Sequence, residues 1–102
     1  MIARLWHGVT LAEKSADYLA FLQARAVPDY RSIPGNLSVE ILHRSAGYLT
    51  HFLIVTHWES DQAIAAFAGN DIEQAKYYPE DRDFLLEFEP HVQHYALEPL
   101  PR

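Results

Sequence analysis

Histidine, tyrosine and tryptophan are the residues in this 102-residue chain with chemistry to offer. There are six histidines: His7, His43, His51, His57, His91 and His94. A neutral imidazole takes up a proton near physiological pH, so any of them can serve as a base. None stands in an H-E-x-x-H or tight H-x-H pattern, and His91 and His94 would point to opposite faces of a strand. No bound metal is expected. A single strand histidine, read on its own, is a surface or half-buried residue. Tyr77-Tyr78-Pro79 places two phenols in an irregular stretch after a helix, where side chains can enter the space between helices and sheet. A buried tyrosine needs a partner for its O–H, and a ligand or the surrounding protein can supply it. Trp58 reads as a core plug beneath the second helix.

Other chemistries lack their parts. With no cysteine, disulfides, thiolate metal sites and thiol nucleophiles are excluded. The only glycines are Gly8, Gly35, Gly47 and Gly69, which make neither a phosphate loop nor a G-x-S-x-G elbow. Glu80-Asp81-Arg82-Asp83 reads as a solvated first helical turn. The eight Lys and Arg residues form no run against a net charge of −6, so no nucleic-acid partner is expected. Neither a leader peptide nor a membrane span is visible, and a cytoplasmic location is expected.

These side chains need a scaffold. A chain of this length makes one domain over residues 1–102, and a 49% hydrophobic, 13% aromatic composition supports a real core. Residues 2–9 read as a strand. Thr10-Leu-Ala-Glu13 has the form of a capping box opening a helix to about Ala26, with the stripe Leu11, Ser15, Tyr18, Leu19, Leu22 and Ala26. Pro28 and Pro34-Gly35 end it. Residues 36–44 and 48–58 read as strands joined by a three-residue loop, Ser45-Ala46-Gly47, pairing Val39 with Leu53 and Leu37 with Val55. Ser60 caps a second helix with the stripe Ala63, Ile64, Phe67 and Ala68, stopped at Gly69. A short turn from Asp71 through Lys76 follows, another opens at Pro79, and residues 88–97 read as a last strand.

The resulting order, β-α-β-β-α-β, is an α+β, ferredoxin-like arrangement with an antiparallel sheet. Its helices cover one sheet face, to which this pairing assigns Leu37, Val39, Ile41, Leu53 and Val55. The opposite face would carry Leu42, Tyr48, Phe52, Ile54 and Trp58, with Trp6 a further candidate. That is too much apolar surface to leave wet, and a twin chain is its simplest cover. A homodimer is expected.

The stretch Val55-Thr-His-Trp58-Glu-Ser60-Asp-Gln-Ala63-Ile-Ala-Ala-Phe67, followed by Asn70-Asp71-Ile72 and Gln74-Ala75, resembles the antibiotic biosynthesis monooxygenase domain of the dimeric α/β-barrel superfamily. The resemblance implies two sheets packed into a barrel across a dimer, with a pocket between helices and sheet in each subunit. Some members oxidise anthrones or hydroquinones with O₂ and no metal, flavin or haem, needing a base and a dry aromatic pocket. It implies His7 and Tyr77 as catalytic residues, Trp58, Phe67 and Tyr78 around the substrate, and no cofactor. A haem-degrading branch has Asn on the first strand, Trp on the second helix and His after it. This sequence has His7, Phe67 and Tyr77 there, which speaks against haem chemistry. The alternatives are a non-catalytic small-molecule-binding or stress-related dimer, and an isomerase or cyclase.

Overall fold

The computed structural model describes residues 1–101. Three long strands, β1 (Ile2–Leu11), β2 (Asn36–Ala46) and β3 (Leu49–Trp58), and a short β4 (Gln93–Ala96) form one antiparallel sheet in the order β2-β3-β1-β4. β1 pairs with β3 from Ile2↔Trp58 to Leu11↔Leu49 and with β4 from Ile2↔Ala96 to Leu5↔Gln93. With both helices on one face, this is the ferredoxin-like fold that the element order predicts.

The first helix runs further than its prolines suggest. It comprises α1 (Ser15–Phe21), a widened π turn (Leu22–Ala26) and α2 (Val27–Ser32). Pro28 cannot donate to a carbonyl one turn back, and the wide turn immediately before it lets the helix pass. The extension adds Tyr30 to the buried stripe of Tyr18, Leu22 and Ala26. The expected Thr10–Glu13 capping box does not form. β1 continues to Leu11, the Thr10 hydroxyl donates to the Leu11 carbonyl, and Ala12 N–H is satisfied by the Tyr48 carbonyl at 2.6 Å. Ser60 does cap α3 (Asp61–Ala68), accepting from Ala63 N–H, and Gly69 ends it at φ +95°.

The β2–β3 hairpin corrects the sequence reading. Ala46 pairs with Leu49, so the loop is the two residues Gly47-Tyr48, with Gly47 left-handed at φ +63°. Val39 then faces Thr56 and Leu42 faces Leu53. The register differs from the expected one by three residues, and an odd shift exchanges the faces of β3. Phe52, Ile54 and Trp58 therefore join Trp6 in the core, against Tyr18, Tyr30, Ile64 and Phe67. The open face instead carries Leu5, Leu42, Leu53 and Val55, interspersed with His7, His51, His57 and Glu40. The last strand is also shorter than expected. Only Gln93–Ala96 is regular, and the chain before it pairs with the segment after α3 through Ala75 N–H to Pro90 and Val92 N–H to Glu73.

Candidate functional site

Because β4 stops opposite Leu5, the outer edge of β1 beyond that point is free for residues 85–92. Leu86 N–H donates to the Val9 carbonyl there. This brings Glu89 to His7, and its carboxylate meets His7 Nδ1. On the other side, His7 Nε2 lies 3.0 Å from His51 Nδ1. An ionised carboxylate only accepts, so His7 Nδ1 carries the proton. In the neutral form of His7, Nε2 accepts from His51 Nδ1–H, which leaves His51 Nε2 as the acceptor nitrogen of the row. His7, His51, Leu42, His43, Arg44 and Leu53 line a cleft of about 350 Å³ on the open sheet face.

Tyr77 reaches the same carboxylate residue from behind. Its hydroxyl donates to the Glu89 carbonyl at 2.6 Å, while its ring packs edge-on against Trp6 and Phe88. Burial and then the Glu89 charge push the phenol up to about 12, so it stays protonated at neutral pH. His7 and Tyr77 do not line a common cavity, and Glu89 is what connects them.

The remaining sequence-predicted residues belong to the helix side. Trp58 is fully buried, its Nε1 donating to Thr56 Oγ1 at 2.8 Å. Phe67 stacks on Tyr30 with ring centroids 4.3 Å apart. Tyr78 donates its hydroxyl to Asp29 and its N–H to Asp81, both at 2.6 Å. Lys76 also donates to Asp29, at 3.1 Å, and sits over the Phe67 ring. Between Trp6, Tyr18, Tyr30, Tyr78, Lys76 and Asp81 the void is about 10 Å³, room for roughly one water. The centre of the helix–sheet interior is filled, and the clefts lie at its margins: the one beside the His7–His51 row on the open face, and one of about 470 Å³ between the first helix and β2, lined by Leu19, Gln23, Val27, Arg31, Val39, Ile41 and His43.

Sequence reasoning did not single out Glu89, His51, Asp29, Asp81 or Arg4. Arg4 left a readable signal, since it alternates with the half-buried Ile2 and the buried Trp6 on one face of β1. Glu89 left none, because its role depends on where an irregular segment crosses the sheet edge.

The family model for antibiotic biosynthesis monooxygenases matches residues 10–76. The chain belongs to the antibiotic biosynthesis monooxygenase family. Solved structures with the same fold include a Nitrosomonas europaea protein assigned to antibiotic biosynthesis monooxygenases, at 16% identity and TM-score 0.66, covering 94% of this chain and 97% of that one. The Mycobacterium tuberculosis haem degrader MhuD, solved with two haems in its active site, shares 18% identity at TM-score 0.58, covering 95% of each chain. A MhuD variant with two manganese protoporphyrins per active site gives TM-score 0.60 at 18% identity, covering 95% of this chain and 94% of that one. No curated protein matches the sequence. Membership of this family supports a monooxygenase-type function. Among the described residues no helix is long and apolar enough to cross a membrane, and no three His, Asp or Glu side chains gather to hold a metal ion.

Proposed function

We propose that this family member is a cytoplasmic homodimer that oxidises an aromatic quinol- or anthrone-like molecule with O₂ and without a cofactor. The observation that carries this reading is the hydrogen-bonded row Glu89–His7–His51 beside an open cleft. A carboxylate that fixes the tautomer of one imidazole, which in turn fixes the next, leaves a directed base. Deprotonation of the substrate by that base makes it electron-rich enough to reduce O₂ itself. For an anthrone, one oxygen atom becomes the new carbonyl and the other leaves as water with the two hydrogens of the oxidised carbon.

The reaction needs a dry site. Leu5, Leu42, Leu53 and Val55 surround the histidine row on a sheet face that a second copy of the chain would cover, excluding water from the cleft. Tyr77 acts here through Glu89, whose carbonyl it holds. Phe67, Trp58 and Tyr78 support the sheet from behind, in place of the direct substrate contacts that the resemblance implies.

Haem fits these residues poorly. The position that corresponds to the axial ligand of the haem-degrading branch is Tyr77, a protonated phenol committed to Glu89, and the void among Trp6, Tyr18, Tyr30 and Tyr78 has no room for a porphyrin.

Oxygen uptake with a panel of quinols and anthrones tests the proposal. Turnover by the metal-free protein, lost on His51→Phe and His7→Gln, supports it. A folded dimer that binds a panel member and consumes no oxygen would make the chain a binding protein instead.

A further inference from the structure

Arg44 lies on the open face of β2, directly opposite His51 of β3. His51 meets His7 of β1, and His7 meets Glu89. Four polar side chains thus run diagonally across the sheet, with a carboxylate at one end and a guanidinium at the other. Arg44, His51 and His7 all line the cleft of about 350 Å³. No carboxylate is among the described residues that line it, so Arg44 brings its one fixed charge.

This cation has no counter-charge of its own. Among the described residues the ion pairs are His7–Glu89 and Lys76–Asp29. Along the same face of β2 the nearest acid is Glu40, four residues and about 13 Å from Arg44. In open water an exposed guanidinium needs no partner. Under a second copy that dries the cleft, an unpaired guanidinium becomes unfavourable and its attraction to an anion strengthens. A substrate that brings the anion satisfies both. The planar guanidinium fork matches a carboxylate through two parallel hydrogen bonds.

We propose that the substrate of this cleft is an acidic quinol, a hydroquinone ring bearing a carboxylate, and that Arg44 selects it by binding that group. The inference rests on the proposed oxidation for the position of the quinol at His51. Cross-strand partners start about 5 Å apart at their Cβ atoms. A carboxylate held by Arg44 therefore leaves a hydroxyl of the same ring within reach of His51 Nε2. Leu42 and Leu53 supply the apolar contact for the ring. Arg44 is a specificity residue in this arrangement and moves no proton.

The test compares gentisate, a hydroquinone with a ring carboxylate, with its methyl ester, which keeps the ring and lacks the charge. Calorimetry under argon reads binding without turnover, and oxygen uptake reads turnover. The wild type should bind gentisate at least about tenfold more tightly than the ester, a preference that shrinks as salt is raised. Arg44→Gln should weaken gentisate about tenfold and the ester less than about threefold. Arg44 is exposed, so the variant should melt with the wild type. In turnover of gentisate the loss should fall on KM, because the carboxylate is bound alike before and during the reaction. Equal affinity for acid and ester overturns the proposal and assigns the counter-charge of Arg44 to the second copy. A preference that survives Arg44→Gln overturns it too, as does binding of neither compound. The oxidation fails separately. Gentisate held through Arg44 without oxygen uptake keeps the acid site and removes the oxidation, whereas oxygen uptake with no preference for the acid does the reverse.

Discussion

The imidazoles of His7 and His51 stack with their centroids 5.3 Å apart and their planes 15° from parallel, and Nε2 of the first faces Nδ1 of the second. Their proton order is imposed by Glu89, which can only accept. Glu89→Gln can donate as well as accept, so it should release that order while keeping the side chain's shape. We expect Glu89→Gln to lower turnover, and His51→Phe, which keeps a stackable ring but no base, to lower it by about 10²–10⁴. Tyr77→Phe should have the smaller effect of a displaced Glu89. Oxygen uptake beside thermal melts checks the series. Equal rates in folded wild type and His51→Phe would remove the base from this row.

Leu42 and Leu53 are cross-strand partners on the open face, 48% and 36% exposed. If a twin covers them, light scattering should give twice the 11.7 kDa chain mass. Leu53→Lys should then yield a monomer with an unchanged far-UV circular dichroism spectrum, because the side chain supports no interior packing within its own chain. A wild-type monomer at micromolar concentration would refute the covered face.

Much of this architecture was legible in the sequence, and what was not has identifiable causes. Order and number of elements followed from periodicity and from Ser60 and Gly69. The faces of β3 did not, because Leu49, Leu53 and Val55 are as apolar as Phe52 and Ile54, and alternation cannot choose between two apolar faces. The hairpin decides it, and Gly47 suits either loop length. Pro28 misled because a widened turn is invisible to a helical-period count. The geometry of the five candidate residues was not legible, since placing His7 on the opposite side from Trp58, Phe67 and Tyr78 required the face of β1. The Glu89 contact depends on a crossing segment with no periodicity at all.

Gly8 and Gly35 should be the least replaceable glycines, for different reasons. A Cβ at Gly8 would lie 2.4 Å from the Trp6 ring and 3.0 Å from Leu85. A Cβ at Gly35 would lie 2.5 Å from that of Ala63, at a φ of +95° that residues with a Cβ rarely adopt. Gly8→Ala should cost about 1–3 kcal/mol by overpacking and Gly35→Ala at least as much. Gly47→Ala, with open space around it but φ +63°, should cost less than either. Urea denaturation of the three variants gives the order, and a Gly8→Ala protein as stable as Gly47→Ala would contradict the Trp6 contact.

Buried phenols should make the fold sensitive to alkali. Burial, then Asp81, raises Tyr18 far above its ordinary range, and burial, then the Asp29 hydrogen bond, does the same for Tyr78. Burial also raises Tyr30, to about 12. An unfolded tyrosine ionises near ~10. Above that pH the unfolded chain therefore binds fewer protons than the folded one, so stability falls as pH rises. The contribution is complete below ~10 and is lost as pH climbs toward the folded values, at up to about 1.4 kcal/mol per pH unit for each phenol held neutral. Tyr78→Phe removes one such phenol and its donation to Asp29. It should lower stability at pH 7 by about 1–3 kcal/mol, since the lost hydrogen bond has a charged acceptor. The same variant should show a shallower decline above pH ~10, so the two stability curves converge in alkali. Urea denaturation at several pH values, with tyrosinate absorbance read alongside, measures both. A wild-type curve flat through that range would mean that these hydroxyls reach solvent in the folded protein, contrary to the buried bonds from Tyr18 to Asp81 and from Tyr78 to Asp29.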